Sequence, residues 1–198
     1  MKNKTPFKAI LFQTVIISAT LFSVLSCNDN PKTDDSKKTA EKSNEATMKT
    51  VNMEKDAQFL VDATVVNVEE IKLGQLAQKK STMKEVKDLG KMMEDGHTKA
   101  LNDLTALANR KSITIPSSPI NKVEEAYQDL NVKSKTDFDK SYSTMMVDGH
   151  KKAIAMFEKA AVECNDPDIK QWASTMLPDL RMHLDMSTAT QNKVDKMK

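Results

Sequence analysis

Three histidines stand out as residues that could do chemistry, because each lies in a different stretch of helical periodicity. Each lies on the same helix face as apolar residues, so the side chains of His97, His150 and His183 are predicted to point into a core. Glu70 faces the same way from a fourth stretch, seven residues from an inward alanine on either side. A buried carboxylate is costly unless a cation, a metal or strong donors pair with it. The four side chains are therefore candidates for a shared site.

The ligand types in this set are those of a transition-metal site. Three imidazoles and one carboxylate suit a Zn, Cu or Fe ion. Met93 and Met146 each precede a histidine by four residues, and their thioethers would extend the set towards Cu(I). Counting the helical rise from the tight turns places His150 and His183 ~4.5 Å apart along the bundle axis. The same count places Glu70 and His97 ~7.5 Å apart, so the helices must be staggered for all four side chains to meet.

Two other interpretations of the same residues are open. In the first, the His/Glu layer is hydrogen-bonded and only fixes helix register, in a structural or interaction protein. In the second, the protein is a ferritin-like metal oxidase, which needs an acid three residues before the histidine on two helices. Glu94 supplies that acid before His97, but Val147 and Leu180 stand before the other two histidines. No nucleophile–base pair is evident, so an enzyme is the less favoured interpretation.

Two of the histidines lie in a repeated sequence motif. Residues 92–101 (MMEDGHTKAL) recur at 145–154 (MMVDGHKKAI), identical at seven of ten positions. Gly inside a helix costs ~1 kcal/mol relative to Ala. The recurrence of Gly96 and Gly149 directly before each histidine therefore predicts that another group packs closely against the backbone there.

Four long helices must position these side chains. The 3.6-residue periodicity predicts them over residues 54–79, 83–111, 135–163 and 167–194. Thr82 with Glu85 forms a capping box for the second helix. Ser134 is placed to cap the third, and Asp166, followed by proline, to cap the fourth.

The connections between the helices decide the topology. The turns after the first and third helices are tight, so each pair is predicted to form an antiparallel hairpin. Between the second and third, Pro116 and Pro119 break the chain, and a short amphipathic segment follows at residues 122–130. This connection is long enough to run back along the bundle. The predicted fold is all-α, a ferritin-like four-helix bundle with a long connection between helices 2 and 3, with a simple up-down order as the alternative.

Composition agrees with an all-α domain and excludes several classes of protein. Only 4 of 198 residues are Gly, which is too few for the turns of a sandwich or barrel. Residues 1–27 contain three of the 30 basic residues and no acid. In the rest of the chain 27 bases therefore oppose 28 acids, which gives a net charge of −1. Without a basic stripe, we expect no nucleic-acid partner.

The first 27 residues have the pattern of an export signal. Three lysines precede an apolar stretch that is shorter than the ~20 residues of a membrane span. Val24-Leu25-Ser26-Cys27 resembles the lipobox of bacterial lipoproteins, whose cysteine receives lipid before cleavage. Residues 1–27 are therefore predicted to be a lipoprotein signal peptide. The mature chain is expected to be anchored through Cys27 in the outer membrane of a Gram-negative bacterium, on its periplasmic or surface face.

The next segment, residues 28–52, is predicted to be a disordered tether. It carries five acids and five bases and little apolar surface, so burial cannot offset the entropy of ordering it. The four-helix-bundle domain is accordingly assigned to residues 53–198.

Several short motifs, taken together, resemble one known family. They are Phe59-Leu60, Glu70-Ile71, Leu73-Gly74-Gln75-Leu76-Ala77, Met93 with His97 and Lys99-Ala100, Pro116, Phe138-Asp139 with Tyr142, Met146 with His150, and Leu177-Pro178 with His183. On these residues the chain resembles the family called domain of unknown function 4142, which comprises ferritin-like proteins secreted or lipid-anchored in bacteria. The resemblance implies the helical bundle and the inward Glu/His set. The family has no assigned activity, so the resemblance implies no mechanism.

Overall fold

The described residues of the computed structural model, 35–196, form six α-helices and their connections, and none of them lies in a β-strand. The helices are α1 (Ser36–Thr47), α2 (Val51–Lys80), α3 (Lys84–Lys111), α4 (Asn121–Asn131), α5 (Lys135–Glu163) and α6 (Pro167–Val194). The all-α prediction is confirmed, and the predicted long helices correspond to α2, α3, α5 and α6. The predicted signal peptide, its Cys27 and residues 28–34 lie outside the described residues. Over residues 35–196, no helix is both long and apolar enough to span a membrane.

Two of the three predicted helix caps are confirmed. The Ser134 side chain accepts a hydrogen bond from the backbone N–H of Asp137, and that of Asp166 accepts from the N–H groups at the start of α6. The capping box at Thr82 is wrong, because α3 begins one residue later than the box requires. The side chain that acts at this turn is Ser81, whose hydroxyl accepts from the N–H of Met83 at 3.0 Å.

One end of the bundle holds the start of α2, the end of α3 and the turn between α5 and α6. The Asp56 carboxylate accepts from the backbone N–H groups of Asn165 and Asp166 at 2.7–3.0 Å. Lys111, the last residue of α3, forms an ion pair with Asp166 at 2.7 Å. These contacts place the end of α3 beside the end of α5, which means that the two helices run in the same direction.

The opposite end holds the turn between α2 and α3 and the start of α5. Lys80 donates to the carbonyl of Asn131 there, and Lys193 pairs with Glu85 at 3.2 Å. Because α3 ends at one end and α5 begins at the other, residues 112–134 return along the length of the bundle. They carry α4, which packs on α2. The predicted long connection is thus present, and the simple up-down order is wrong.

Helix α1 corrects the prediction of a disordered tether over residues 28–52. It packs on α2 and on the connection, with Ala40 and Asn44 buried. The Asn44 amide donates to the carbonyl of Thr114 and accepts from its N–H, both at 2.8 Å. Hydropathy does not register such polar docking, which needs little apolar surface. The folded part therefore begins before residue 53.

Two apolar clusters occupy the core on either side of a polar layer. In the first, Phe59 and Phe157 pack edge to face with ring centroids 5.1 Å apart. The second contains Phe138 and Tyr142, stacked at 5.8 Å. Along the four long helices, members of the two clusters lie on both sides of Glu70, His97, His150 and His183. The layer at mid-length of the bundle is therefore enclosed by apolar packing at both ends.

Candidate metal centre

The three histidines meet in the polar layer, each from a different helix. His97 on α3, His150 on α5 and His183 on α6 are buried, with ring centroids 5.1–5.6 Å apart. One nitrogen from each ring lies within 4.8 Å of the other two. Helix stagger thus removes the offset of ~4.5 Å that rise alone predicts for His150 and His183.

Hydrogen bonds fix the proton position on two of the three rings. The Asn67 amide group donates to the carbonyl of Ala63, so its oxygen accepts from Nδ1 of His97 at 3.0 Å. Nδ1 of His150 donates to the carbonyl of Met146 at 2.8 Å. In the neutral imidazole the other nitrogen then carries a lone pair. Nε2 of both His97 and His150 is therefore an acceptor held towards the layer.

These ring nitrogens have no hydrogen-bond partner in the described part of the chain. The buried side-chain atoms there without a partner are Glu70 Oε2, His97 Nε2, Asp139 Oδ1, Tyr142 Oη, His150 Nε2, Trp172 Nε1 and His183 Nδ1. Five of these seven belong to the polar layer or its border. A buried polar group left unpaired costs about 1–3 kcal/mol. The unpaired atoms are thus concentrated beside the three imidazoles.

Glu70 lies beside the histidines and does not join their group. Its Oε1 is 3.9 Å from Nδ1 of His150, the nitrogen that already donates to a backbone carbonyl. The group of converging donor atoms contains the three imidazoles alone. Glu70 therefore lies on the Nδ1 side of the His150 ring, where its charge can affect that imidazole. The predicted inward direction is present, and a direct ligand role would require the side chain to move.

The two methionines named as weaker ligands are buried in the second apolar cluster. Met93 and Met146 pack there with Phe138 and Tyr142. Met146 contributes to the site through its backbone, since its carbonyl accepts from His150. The sulfur atoms thus serve the core, as is usual for buried methionine.

Glu94, the acid that an oxidase site would need, is engaged elsewhere. Its two carboxylate oxygens accept from the side-chain amides of Gln75 and Gln78 at 2.8 and 2.7 Å. These bonds lower the pKa of Glu94, so it stays ionised on the outside of the α2–α3 pair. The geometry does not favour a carboxylate-bridged pair of metal ions.

Tyr142 borders the site and was missed as a functional candidate. It is fully buried, and among residues 35–196 its hydroxyl has no hydrogen-bond partner. Burial, then the nearby Glu70 carboxyl, raises the pKa of Tyr142 well above its usual value. The sequence did contain a signal, because Tyr142 lies four and eight residues before Met146 and His150 on the inward seam of α5.

Both repeated glycines abut a side chain of the layer, as predicted. A Cβ at Gly96 would lie 2.8 Å from Cε1 and 3.0 Å from Nε2 of His183. A Cβ at Gly149 would lie 3.3 Å from Oε1 of Glu70. The absent side chains thus make room for one imidazole and one carboxylate.

Gly96→Ala is expected to weaken metal binding about tenfold or more, because the new methyl group pushes the His183 ring out of place. The metal-free fold should lose little, since the gain of ~1 kcal/mol in helix propensity offsets the local strain. Isothermal titration with Co(II) and chemical denaturation measure the two effects. Gly149→Ala is the matched control, and an unchanged Co(II) affinity in Gly96→Ala would contradict the placement of His183.

Burial holds the three histidines in the neutral form that metals require. It lowers the pKa of His97 well below its usual value, aided by the other two imidazoles. Burial lowers the pKa of His150 to about 4 and also lowers that of His183, against the nearby Asp179 carboxylate. Glu70 behaves in the opposite sense, since burial raises its pKa well above the usual range. At neutral pH the layer therefore presents uncharged imidazoles.

Acidification of the metal-free chain is expected to weaken the fold between pH 6.5 and about 4. In that range His150 gains a proton in the unfolded chain but not in the folded one, so the free energy of unfolding falls as the pH falls. The difference in pKa corresponds to ~3 kcal/mol for this residue. Urea denaturation across the range measures it, and His150→Gln should remove that share of the slope. Glu70 contributes in the opposite direction in both proteins, so it cancels in the comparison.

Comparison with known proteins identifies one family. The family model described as "Domain of unknown function (DUF4142)" matches residues 38–190. Neither the curated proteins nor the solved structures include a match to the chain. The match begins inside α1 and ends near the end of α6, so it spans the site.

Proposed function

The chain belongs to the DUF4142 family, whose function is unassigned, and from that premise we propose that it binds a transition-metal ion through His97, His150 and His183. One observation carries the proposal. Three buried ring nitrogens without partners converge from three helices. At least two of them are acceptors, and two lone pairs cannot satisfy one another. A cation resolves this arrangement directly.

Three neutral imidazoles suit Zn, Cu or Fe. Metal–nitrogen bonds of about 2.0–2.1 Å require donor atoms ~3.4 Å apart, so rings now within 4.8 Å must close in by less than ~1 Å each. The hydrogen bonds that orient His97 and His150 are typical of metal sites, because ligating histidines commonly donate their other N–H to a carbonyl or amide oxygen. Asn67 and Met146 supply those oxygens.

The same observation bears on the two alternatives. A layer that only fixes helix register gains from complete hydrogen bonding, and a half-satisfied network is worse than an apolar core. The unpaired nitrogens therefore favour the metal over the structural interpretation. The oxidase would need additional carboxylates at the ions, and Glu94 is held by two glutamines instead.

We propose further that the bundle is of ferritin-like type and that the chain is a lipoprotein of the outer membrane. The parallel course of α3 and α5 and the long returning connection support the first part. The lipobox-like residues up to Cys27 support the second. Membrane fractionation of a Cys27→Ser chain tests the anchor, since the variant should leave the membrane fraction.

Cobalt titration of residues 33–198, which form one compact unit, tests metal binding. We expect one Co(II) per chain, with the intense visible absorption of a four-coordinate ion, and competition by Zn(II). Metal at 100 times the dissociation constant should stabilise the fold by ~2.7 kcal/mol. A featureless spectrum and an unchanged melting temperature at millimolar metal would refute the proposal.

A further inference from the structure

A surface cleft between α3 and α6 leads to His183. His183 forms its floor, next to Gly96. The absence of a side chain at Gly96 leaves the Nε2 edge of the imidazole against the backbone of α3. A second, small cavity of about 30 Å³ between the same helices is lined by both His183 and His97. One side chain therefore borders both the outside cleft and the centre of the bundle.

Methionines line the walls of this cleft. Met92 on α3 and Met182 on α6 line it, and Met176 lines the neighbouring small cavity. Met182 and Met186 are four residues apart on one face of α6, and each is about half exposed (49% and 48%). Thioethers are soft metal ligands, and two of them, those of Met92 and Met182, line the same cleft as His183.

The charge around the cleft also favours a cation. Asp88, Asp95 and Asp179 line it together with one base, Lys91. Lys91 pairs with Asp95 at 2.7 Å, and Asp88 pairs with Lys84. Within residues 35–196, Asp179 has no basic partner within 4 Å, and it lies one helical turn before His183. Its carboxylate therefore adds negative charge to the lining of the cleft that also contains His183.

We propose that this cleft is an entry port for Cu(I), which is taken up by the thioethers of Met92 and Met182 and passed through His183 to the histidine centre. The inference rests on the proposed metal site and names the ion and its route. Cu(I) prefers thioether and imidazole ligands, and a monovalent soft ion gains little from carboxylate cages. The transfer exchanges ligands without any change in oxidation state.

The experiment follows Cu(I) transfer into the full chain in detergent, without oxygen. Every protein carries Cys27→Ser, so that no unlipidated Cys27 thiol competes for Cu(I). Cys164 is a poor competitor, because burial, then Asp56, raises the pKa of its thiol to about 12. Cu(I) is supplied as its coloured bathocuproine disulfonate complex, and the loss of colour gives the rate. Co(II) uptake is measured in parallel as a test of the centre itself.

The double variant Met92→Leu/Met182→Leu should slow Cu(I) transfer about tenfold, because the ion is no longer held next to its destination. Its Co(II) stoichiometry and Co(II) uptake rate should match the parent. Met53→Leu is the matched control, since Met53 is similarly exposed on α2, away from the cleft, and should load at the parental rate.

The outcomes separate the port from the centre. Equal Cu(I) rates in the double variant and the parent, with Co(II) bound in both, overturn the port alone. Equal slowing by Met53→Leu also overturns it, since the effect would then belong to any exposed thioether. Failure of the parent to bind Co(II) overturns the centre, and the port with it. Leucine has nearly the shape of methionine, so both variants should fold, and their melting temperatures verify this.

Discussion

His150→Leu is expected to abolish tight metal binding while leaving the metal-free bundle at least as stable as the parent. The substitution removes one of the three proposed ligands, which should lower Co(II) affinity by more than ~100-fold, beyond the usual cost of losing a supporting residue. It also removes a buried nitrogen that has no partner. Replacing a buried polar group by an apolar one of similar volume is often neutral or stabilising.

The Met146 carbonyl does not become unsatisfied in this variant, because it also lies within the hydrogen-bond ladder of α5. Cobalt titration and urea denaturation in the presence of a chelator measure the two halves of the prediction. Tyr142→Phe is the matched control, since it removes an unpaired buried hydroxyl and leaves the three imidazoles in place. A His150→Leu chain that binds Co(II) normally, or that loses several kcal/mol without metal, would contradict the metal interpretation.

Gly90→Ala is expected to destabilise the fold by more than ~2 kcal/mol. Its new methyl group would lie 2.7 Å from the carbonyl oxygen of Gly74 and 2.9 Å from Cβ of Ala77. Backbone atoms cannot move aside as a flexible side chain can, so α2 and α3 must separate. The loss exceeds the ~1 kcal/mol gained in helix propensity. Gly74→Ala, with its methyl group 2.5 Å from the carbonyl oxygen of Gly90, should behave in the same way.

Separation of α2 and α3 would also disturb the proposed metal site, because the hydrogen bond between Asn67 and His97 joins these two helices. Gly90→Ala should therefore weaken Co(II) binding as well as stability. Thermal and chemical denaturation measure the first effect, and titration the second. Gly149→Ala is again the control, since its methyl group meets only a carboxylate oxygen at 3.3 Å. Parental stability in Gly90→Ala would rule out the close contact.

Helical periodicity predicts most of this fold because the relevant forces are local. Apolar spacing places all three histidines on inward seams, and the repeated glycines predict tight packing that the structure contains at Gly96 and Gly149. The ends of α5 follow from Ser134 and from the Asn-Asp-Pro sequence after the helix. Short stretches of sequence therefore predict that the proposed ligands lie in the interior of the bundle.

The remaining features depend on how the helices pack, which no local pattern specifies. The stagger that brings the imidazoles level arises from contacts between helices, such as the Gly74–Gly90 approach. The position of Glu70 behind His150 likewise depends on two helices at once. Helix α1 was missed because Asn44 binds a segment 70 residues away through its amide, and hydropathy gives no weight to that bond.

The docking of α1 limits how far the bundle can stand from a lipid surface. A free segment over residues 28–52 could extend ~85 Å, whereas residues 28–34 alone reach no more than ~25 Å even when fully stretched. If Cys27 carries lipid, as proposed, helix α1 would therefore begin no more than ~25 Å from the anchoring residue. Donors of its ion would then be proteins or chelates that themselves approach the membrane, rather than partners reached across the width of the envelope.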